Sequence, residues 1–208
     1  MIPPSLHRAS ALGLLAALGL GGAAGCSPAA GPTPRTAEVR ESAPGLSPTP
    51  SGTASATPTD AGWVQLMAPM NQQAVKLLTL AAERAAEPRV RAFAVRLRTG
   101  HEAELGRLRI LLGRMGLPLT DVHAGHDMPG MVTEQELEAA RAAEGTAFDR
   151  FVLARIGDHL RQSARVSRSE ITAGGRADAR RLARALVTAR EAFLAELERL
   201  PGAVRALG

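Results

Sequence analysis

The sequence predicts an all-α protein, an antiparallel four-helix bundle made of two helical hairpins. Ala, Leu, Arg and Glu, which are strong helix formers, dominate the chain from about residue 61 onward. Apolar residues recur there at helical spacing. The two halves of this region also match at a constant offset, so that Met70 falls on His159 and Leu97 on Leu186. One hairpin cannot bury both of its apolar stripes, so the two hairpins are expected to pack together.

The first predicted hairpin consists of two long helices. The first helix covers residues 61–86 and ends before Pro88, because the residue before a proline disfavours helical geometry. The second covers 88–115 and ends at Gly116. A loop over 117–132 follows and leads into the second half of the chain.

The second predicted hairpin is preceded by a short helix. Thr133 and Glu136 form a capping-box pattern that predicts a helix to about residue 143. Thr146 with Asp149 suggests the start of the third long helix, and a double glycine at 174–175 ends it. The last helix stops before a proline at 201. The predicted spans are 133–143, 147–172 and 176–200.

The N-terminal residues 1–25 have the layout of a lipoprotein signal peptide. Arg8 supplies a positive start, and 9–20 is an apolar run too short to span a bilayer as a permanent helix. Small residues then precede Cys26, the chain's only cysteine, as in the lipobox of bacterial lipoproteins. We expect a protein lipid-anchored to the bacterial cell membrane at Cys26, on its extracytoplasmic face. The alternative is an ordinary secreted protein with an unmodified cysteine.

The segment over residues 26–60 predicts a disordered tether. It is rich in Pro, Ser, Thr, Gly and Ala and has almost no large apolar residues, so it cannot bury a core. The folded domain is therefore expected over 61–208. Because no cysteine remains beyond Cys26, this domain depends on packing without disulfides.

The composition argues against nucleic acid as a partner. A net charge of +5 would permit contact with anionic lipid headgroups. However, the arginines alternate with glutamates along the helices. Aromatic residues suited to base stacking are scarce, with one Trp, four Phe and no Tyr. The chain also lacks a nucleophile elbow, a phosphate-binding glycine loop and a zinc-protease motif, so no enzymatic activity is expected.

The predicted loop carries two imidazoles and two thioethers, from His123, His126, Met128 and Met131. Imidazole and thioether are ligands suited to copper, and thioether particularly favours Cu(I). Glycines and a proline between them let the backbone fold around an ion. The alternative is that both methionines close one end of the bundle while the histidines face solvent.

A second set of candidate ligands lies on the long helices. His101 and Glu104 are three residues apart, so they share one face of the second helix. The equivalent positions in the second half are Arg190 and Phe193, so a symmetric two-metal site is not expected. His159 on the third helix could complete a residual site with His101 across the bundle. The alternatives are a structural His159 and a surface His101–Glu104 pair linked to neighbouring arginines, Arg98 or Arg107.

These residues together resemble the domain of unknown function 305 family, also described as CopM-like, over residues 63–200. The resemblance implies an exported, ferritin-like four-helix bundle that arose by duplication, and a role in copper handling in some members. The matching stretches are Met67-Ala-Pro69, Gln72-Gln73-Ala74, Glu104-Leu105, Leu108, Leu111-Leu112, Met128-Pro-Gly-Met131 and Gly145-Thr-Ala-Phe148-Asp149-Arg150-Phe151.

The chain departs from the family at its site positions. Met70-Asn71 replaces the paired histidines that the resemblance implies on the first helix, and only His159 remains of the pair on the third. His101 stands where a glutamine is expected. On the fourth helix Arg190 and Phe193 replace a glutamine and a glutamate. Such an arginine would repel a cation, or could pair with Glu104 and substitute for a metal electrostatically.

Two functional hypotheses follow. The first is a lipid-anchored bundle that binds copper through the loop residues His123, His126, Met128 and Met131, with His101, Glu104 and His159 as a remnant site. The second is a metal-free scaffold or binding lipoprotein that kept the bundle. An oxidase of the ferritin type would need several converging carboxylates, and only Glu104 is well placed, so we expect no enzyme.

Overall fold

The structure is a computed structural model that describes residues 55–123 and 126–207. The predicted signal peptide, Cys26 and most of the predicted tether lie outside these residues. The described part forms six helices. They are α1 (Pro58–Arg84), α2 (Pro88–Arg114), α3 (Glu134–Ala142), α4 (Gly145–Ala173), α5 (Ala177–Leu197) and α6 (Ala203–Leu207).

The four long helices pack as two hairpins. Helix α1 contacts α2 most extensively, and α4 contacts α5. The hairpins meet where α1 packs on α4 and α2 on α5, while the short α3 touches both α1 and α4. The predicted all-α four-helix bundle is therefore confirmed.

Helix α1 begins earlier than the predicted residue 61 because a capping box precedes it. The Thr57 hydroxyl accepts a hydrogen bond from the Asp60 backbone N–H, and the Asp60 carboxylate accepts one from the Thr57 backbone N–H at 2.7 Å. Pro58 takes the first helical position, where its missing N–H has no consequence. Asp60 also accepts a hydrogen bond from the Arg176 backbone N–H at 2.9 Å, which links α1 to the start of α5.

The predicted start of α4 at Thr146 and Asp149 is wrong. The helix begins at Gly145, whose φ of 54° suits glycine, and no side chain caps it. The Asp149 carboxylate instead accepts hydrogen bonds from the Ala86 and Glu87 backbone N–H groups at 2.9 and 2.8 Å. It therefore satisfies the turn between α1 and α2, a long-range role that a local capping pattern does not reveal.

The sequence reasoning also missed α6. Helix α5 ends at Leu197, and Gly202 with a φ of 83° reverses the chain after Pro201. The five residues of α6 then pack back on α4, with Ala203 fully buried.

Two apolar clusters fill the bundle, one on each side of its middle. One cluster contains Leu77 of α1, Leu97 of α2 and Leu160 of α4, and the other contains Met67, Leu108 and Leu186. Each long helix passes from one cluster to the other. At each crossing the helix buries one or two polar side chains, so the middle of the bundle is polar.

None of the helices in the described part of the chain is both long enough and apolar enough to cross a membrane.

Candidate functional site

Between the two apolar clusters, the four long helices bury polar side chains that together form one polar layer. We use that name for six residues: Asn71 from α1, His101 and Glu104 from α2, His159 and Ser163 from α4, and Arg190 from α5. Glu104 is 4% exposed and the other five are completely buried. Each lies three or four residues from a buried apolar residue of its own helix, so helical periodicity turns all six toward the bundle axis.

Arg190 is the centre of one half of the polar layer. Its guanidinium donates to both carboxylate oxygens of Glu104, from Nη1 to Oε1 at 3.0 Å and from Nη2 to Oε2 at 2.7 Å. Nη2 also donates to Asn71 Oδ1 at 3.0 Å, and Nε donates to Ser163 Oγ at 2.9 Å. The planar, always-charged guanidinium suits this two-point pairing with a carboxylate.

The same network occupies the lone pairs of Glu104. Besides the two bonds from Arg190, Glu104 Oε2 accepts a hydrogen bond from Asn71 Nδ2 at 3.1 Å. The alternative of a surface pair linked to Arg98 or Arg107 is therefore wrong, since Glu104 is buried and Arg98 lies 3.7 Å from Glu102 instead. The sequence suggested two roles for Arg190, to repel a cation or to pair with Glu104. The structure contains the pairing with Glu104.

His101 and His159 form the other half of the polar layer. Their Nε2 atoms lie 3.0 Å apart, and the rings are tilted by 50°. His101 Nδ1 lies 3.1 Å from the Leu97 carbonyl oxygen, and His159 Nδ1 lies 3.2 Å from the Gly130 carbonyl oxygen. The structure therefore brings together across the bundle the two histidines that the sequence suggested as a residual site.

Both histidines are neutral at neutral pH. Burial, and then the charge of Arg190, lower the pKa of His159 to about 3. The same two causes, with His159 as a third, hold the pKa of His101 well below its usual value. Neutral imidazole is the form that binds metal ions, so protons do not compete for these nitrogens at neutral pH.

The four loop residues do not face one common point. Met131 is buried and packs in the apolar cluster of Met67 and Leu108, and Met128 packs partly buried against it. His126 is exposed and His123 half-buried, with ring centroids 6.4 Å apart. The two histidines line one groove and Met128 lines the neighbouring one, while Met131 contributes to both.

Gly130 connects this loop to the polar layer. Its carbonyl holds His159, and its φ of 73° is a conformation that favours glycine. A Cβ atom at this position would lie 2.5 Å from Cβ of Gln162 on α4. The loop therefore lies directly on α4, and the position of its backbone helps to fix the ring of His159.

These groups differ in how well they fit a metal ion. In residues 55–123 and 126–207, no group of three or more His, Cys, Asp or Glu side chains is arranged to hold one. Glu104 fits poorly as a ligand, because its oxygens already bind Arg190 and Asn71. The His101–His159 pair fits better, because each ring has its second nitrogen on a backbone carbonyl, as metal-binding histidines usually do.

Two members of the polar layer were not recognised from the sequence as site residues. In the sequence Asn71 stands only at the place of an expected histidine, and nothing marks Ser163 on its helix. The available signal was Arg190, an arginine in line with Leu186 and Leu197 on the apolar stripe of α5. A buried guanidinium has five N–H donors that need acceptors, so polar partners are expected on the facing helices.

Comparison with known proteins places this bundle in a family. The sequence model of the family described as Domain of unknown function (DUF305) matches residues 60–201. A DUF305 crystal structure from Streptomyces coelicolor, described as that of a secreted protein, is 23% identical with a TM-score of 0.60, covering 67% of this chain and 89% of that one. A DUF305 fragment from Deinococcus radiodurans is 22% identical with a TM-score of 0.61, covering 69% of this chain and 95% of that one.

The comparison with curated proteins gives no match. The two crystal structures show a shared fold, and the family match extends from the first turn of α1 to the residues after α5. Because that match covers more than half of the chain, the protein belongs to the DUF305 family.

Proposed function

We propose that this protein is an exported, lipid-anchored DUF305 bundle that binds copper as Cu(I) and buffers it or passes it on. The observation that carries the copper assignment is the pair of buried histidines, His101 and His159, with their Nε2 atoms 3.0 Å apart. Imidazole is a suitable copper ligand. In the polar layer the Glu104 carboxylate is bound by Arg190 and Asn71, and the Ser163 hydroxyl is hydrogen-bonded to Arg190 and the Leu160 carbonyl, so we propose binding without catalysis.

Anchoring is supported by the N-terminal sequence. The apolar run over 9–20, the small residues after it and the single Cys26 match the arrangement of a lipoprotein signal. The secreted description of the Streptomyces coelicolor relative agrees with export. The test is fractionation of cells expressing the chain and its Cys26→Ser variant. The unsubstituted chain should sediment with membranes and the variant should not; equal distribution would refute the anchor.

The loop supports a separate, accessible site. His123 and His126 line one groove together with Asp127 and Met131. Only part of the set that the sequence predicted is free to bind there, because Met131 is buried in the core and Met128 lies in another groove. We therefore assign the tighter site to the buried pair and a weaker, exchanging one to the loop.

A competition titration tests this assignment. The full chain in detergent would compete for Cu(I) with a chromogenic chelator. His101→Gln/His159→Gln should lose more than about 100-fold in affinity, since changing even outer-shell partners of a metal site costs about 10–100-fold. The matched control, His123→Gln/His126→Gln, should lose less. If the unsubstituted chain fails to compete at all, the copper function is wrong.

The second candidate function is a metal-free scaffold or binding protein, and a specific observation favours it. Arg190 already supplies a fixed cation beside Glu104 and fills the hydrogen-bonding positions of Asn71 and Ser163. A bundle stabilised in this way does not need a metal to fold. The failure of Cu(I) to raise the melting temperature would favour this function, because a ligand that binds only the folded state must stabilise it.

A further inference from the structure

We propose that the His101–His159 pair is selective for a monovalent, two-coordinate cation, held between the two Nε2 atoms, and does not accept divalent ions. This inference rests on the copper function proposed above and specifies its ion and geometry. It follows from counting the protons that the contacts of the pair require.

The two histidines make three polar contacts with only two N–H groups available. We assign the single N–H of each neutral ring to Nδ1, because a carbonyl oxygen can only accept: His101 then donates to Leu97 and His159 to Gly130. In this assignment both Nε2 atoms present lone pairs to each other at 3.0 Å. An Nε2–H on one ring would instead leave the Nδ1 lone pair of that ring against its carbonyl oxygen, so either assignment leaves two acceptors facing each other. Two facing acceptors are unfavourable unless a positive species lies between them.

A cation that coordinates nitrogen would remove this conflict. Both rings are completely buried in the polar layer. Glu104, the carboxylate of that layer, is already bound by Arg190. An ion between the two Nε2 atoms would bond both lone pairs at once and leave the Nδ1 contacts with Leu97 and Gly130 in place.

A linear cation fits the geometry with a small movement. Metal–imidazole bonds are about 2 Å long, so two in line separate the nitrogens by about 4 Å. The present separation is 3.0 Å, so the rings must move apart by about 1 Å. The backbone carbonyls would keep both Nδ1–H groups bonded during that movement, which orients the Nε2 lone pairs toward the ion.

A divalent ion lacks the further ligands that it requires. Zinc takes four ligands in structural sites and at least three protein ligands in catalytic ones. In the described residues no third His, Cys, Asp or Glu joins the pair in a metal-binding group, and the oxygens of Glu104 are bound to Arg190 and Asn71. A divalent charge would also be left without a carboxylate beside a fixed guanidinium. Cu(I) and Ag(I) need only two nitrogen ligands in line, and they bring half as much charge beside the guanidinium.

The test combines nitrogen NMR with metal selectivity on the full chain. Long-range 1H–15N spectra of the metal-free, unsubstituted protein should show both rings protonated at Nδ1 and unprotonated at Nε2. Ag(I) should then shift the two Nε2 resonances and leave both Nδ1–H groups in place, whereas Zn(II) should not. This measurement needs no variant, so a folding defect cannot obscure it.

The opposite results would overturn the inference without refuting copper binding. They are an Nε2–H on either ring in the metal-free protein, or Zn(II) shifting the same two resonances. Ag(I) shifts that persist in His159→Gln but vanish in His126→Gln would also overturn it, because the ion would then lie on the loop. Failure of the chain to compete for Cu(I) would instead refute the proposed function itself.

Discussion

At the scale of single residues, buried charged groups determine the properties of this bundle. Arg190 and Glu104 form an ion pair with side-chain exposures of 0% and 5%. A buried pair of this kind is weak evidence for stability on its own, because desolvation offsets much of the attraction. Removing one partner is different, since it leaves an uncompensated charge in the core.

Arg190→Met should therefore destabilise the protein strongly. It leaves Glu104 buried without its cation, a change that costs about 3–5 kcal/mol. The double variant Glu104→Leu/Arg190→Met should recover most of that loss, because apolar replacement of both partners is often neutral. Urea denaturation gives the free energies of unfolding. Arg184→Ala, at an exposed site on the same helix, is the control, expected within about 0.5 kcal/mol of the unsubstituted protein.

A second buried acid, Glu170, is expected to make the stability depend on pH in the alkaline range. Its side chain lies in the last turn of α4 and is completely buried, and neither carboxyl oxygen meets a donor in the part of the chain that the structure describes. Burial, together with the neighbouring Asp60 carboxylate, raises the pKa of Glu170 to about 8, while Arg180 opposes the shift. Protonated Glu170 can donate to Asp60, whose own pKa is lowered to about 2.

The pKa of Glu170 leads to a prediction with a defined sign. A folded-state pKa above the unfolded value of 4.5 means that the folded protein holds this proton more tightly. The associated stability is fully present below pH 4.5 and is lost as the pH rises through about 8. The glutamine of Glu170→Gln cannot ionise. The free energy of unfolding of this variant, relative to that of the unsubstituted protein, should therefore rise between pH 5 and pH 9. Equal stability curves for the two proteins over that range would contradict the assignment.

At the scale of elements, the helices were largely predictable and their long-range caps were not. Periodicity and prolines located all four long helices, because these signals are local. The early start of α1 comes from the local capping box of Thr57 and Asp60, which apolar periodicity does not show. The role of Asp149 depends on the Ala86 and Glu87 backbone, far away in the chain. Helix α6 has only five residues and is stabilised by packing on α4. It is therefore too short to show a periodic pattern of apolar residues in the sequence.

The loop that covers the polar layer has a matched pair of glycines for testing its role. Gly130 and Gly116 have φ values of 73° and 67°, so alanine at either position is strained by about 1 kcal/mol. A Cβ at Gly130 would also meet Gln162, whereas none of the atoms described lies within 4 Å of one at Gly116. Gly130→Ala should therefore lower the free energy of unfolding more than Gly116→Ala does. It should also weaken Cu(I) binding, because the displaced loop would move His159. Equal effects on affinity would show that the loop does not position this histidine.

At the scale of the whole molecule, the apolar clusters and the polar layer differ in how far the sequence predicts them. The apolar clusters on both sides of the polar layer are those of an ordinary four-helix bundle, which is why the fold followed from the sequence pattern. The site did not follow in the same way. The sequence identified His101, Glu104 and His159 as candidates and suggested that Arg190 could pair with Glu104. It could not show that the two histidines meet through their Nε2 atoms, because that depends on the relative rotation of α2 and α4.

In our proposal the buried histidine pair holds the first copper ion, and the loop binds copper only more weakly. The most direct test is the X-ray absorption spectrum of copper in the full chain loaded with less than one equivalent of Cu(I). We predict two nitrogen ligands at about 2 Å and no sulfur shell. A sulfur shell would show that the methionines hold copper, and a spectrum unchanged in His101→Gln/His159→Gln would show that the buried pair does not bind it.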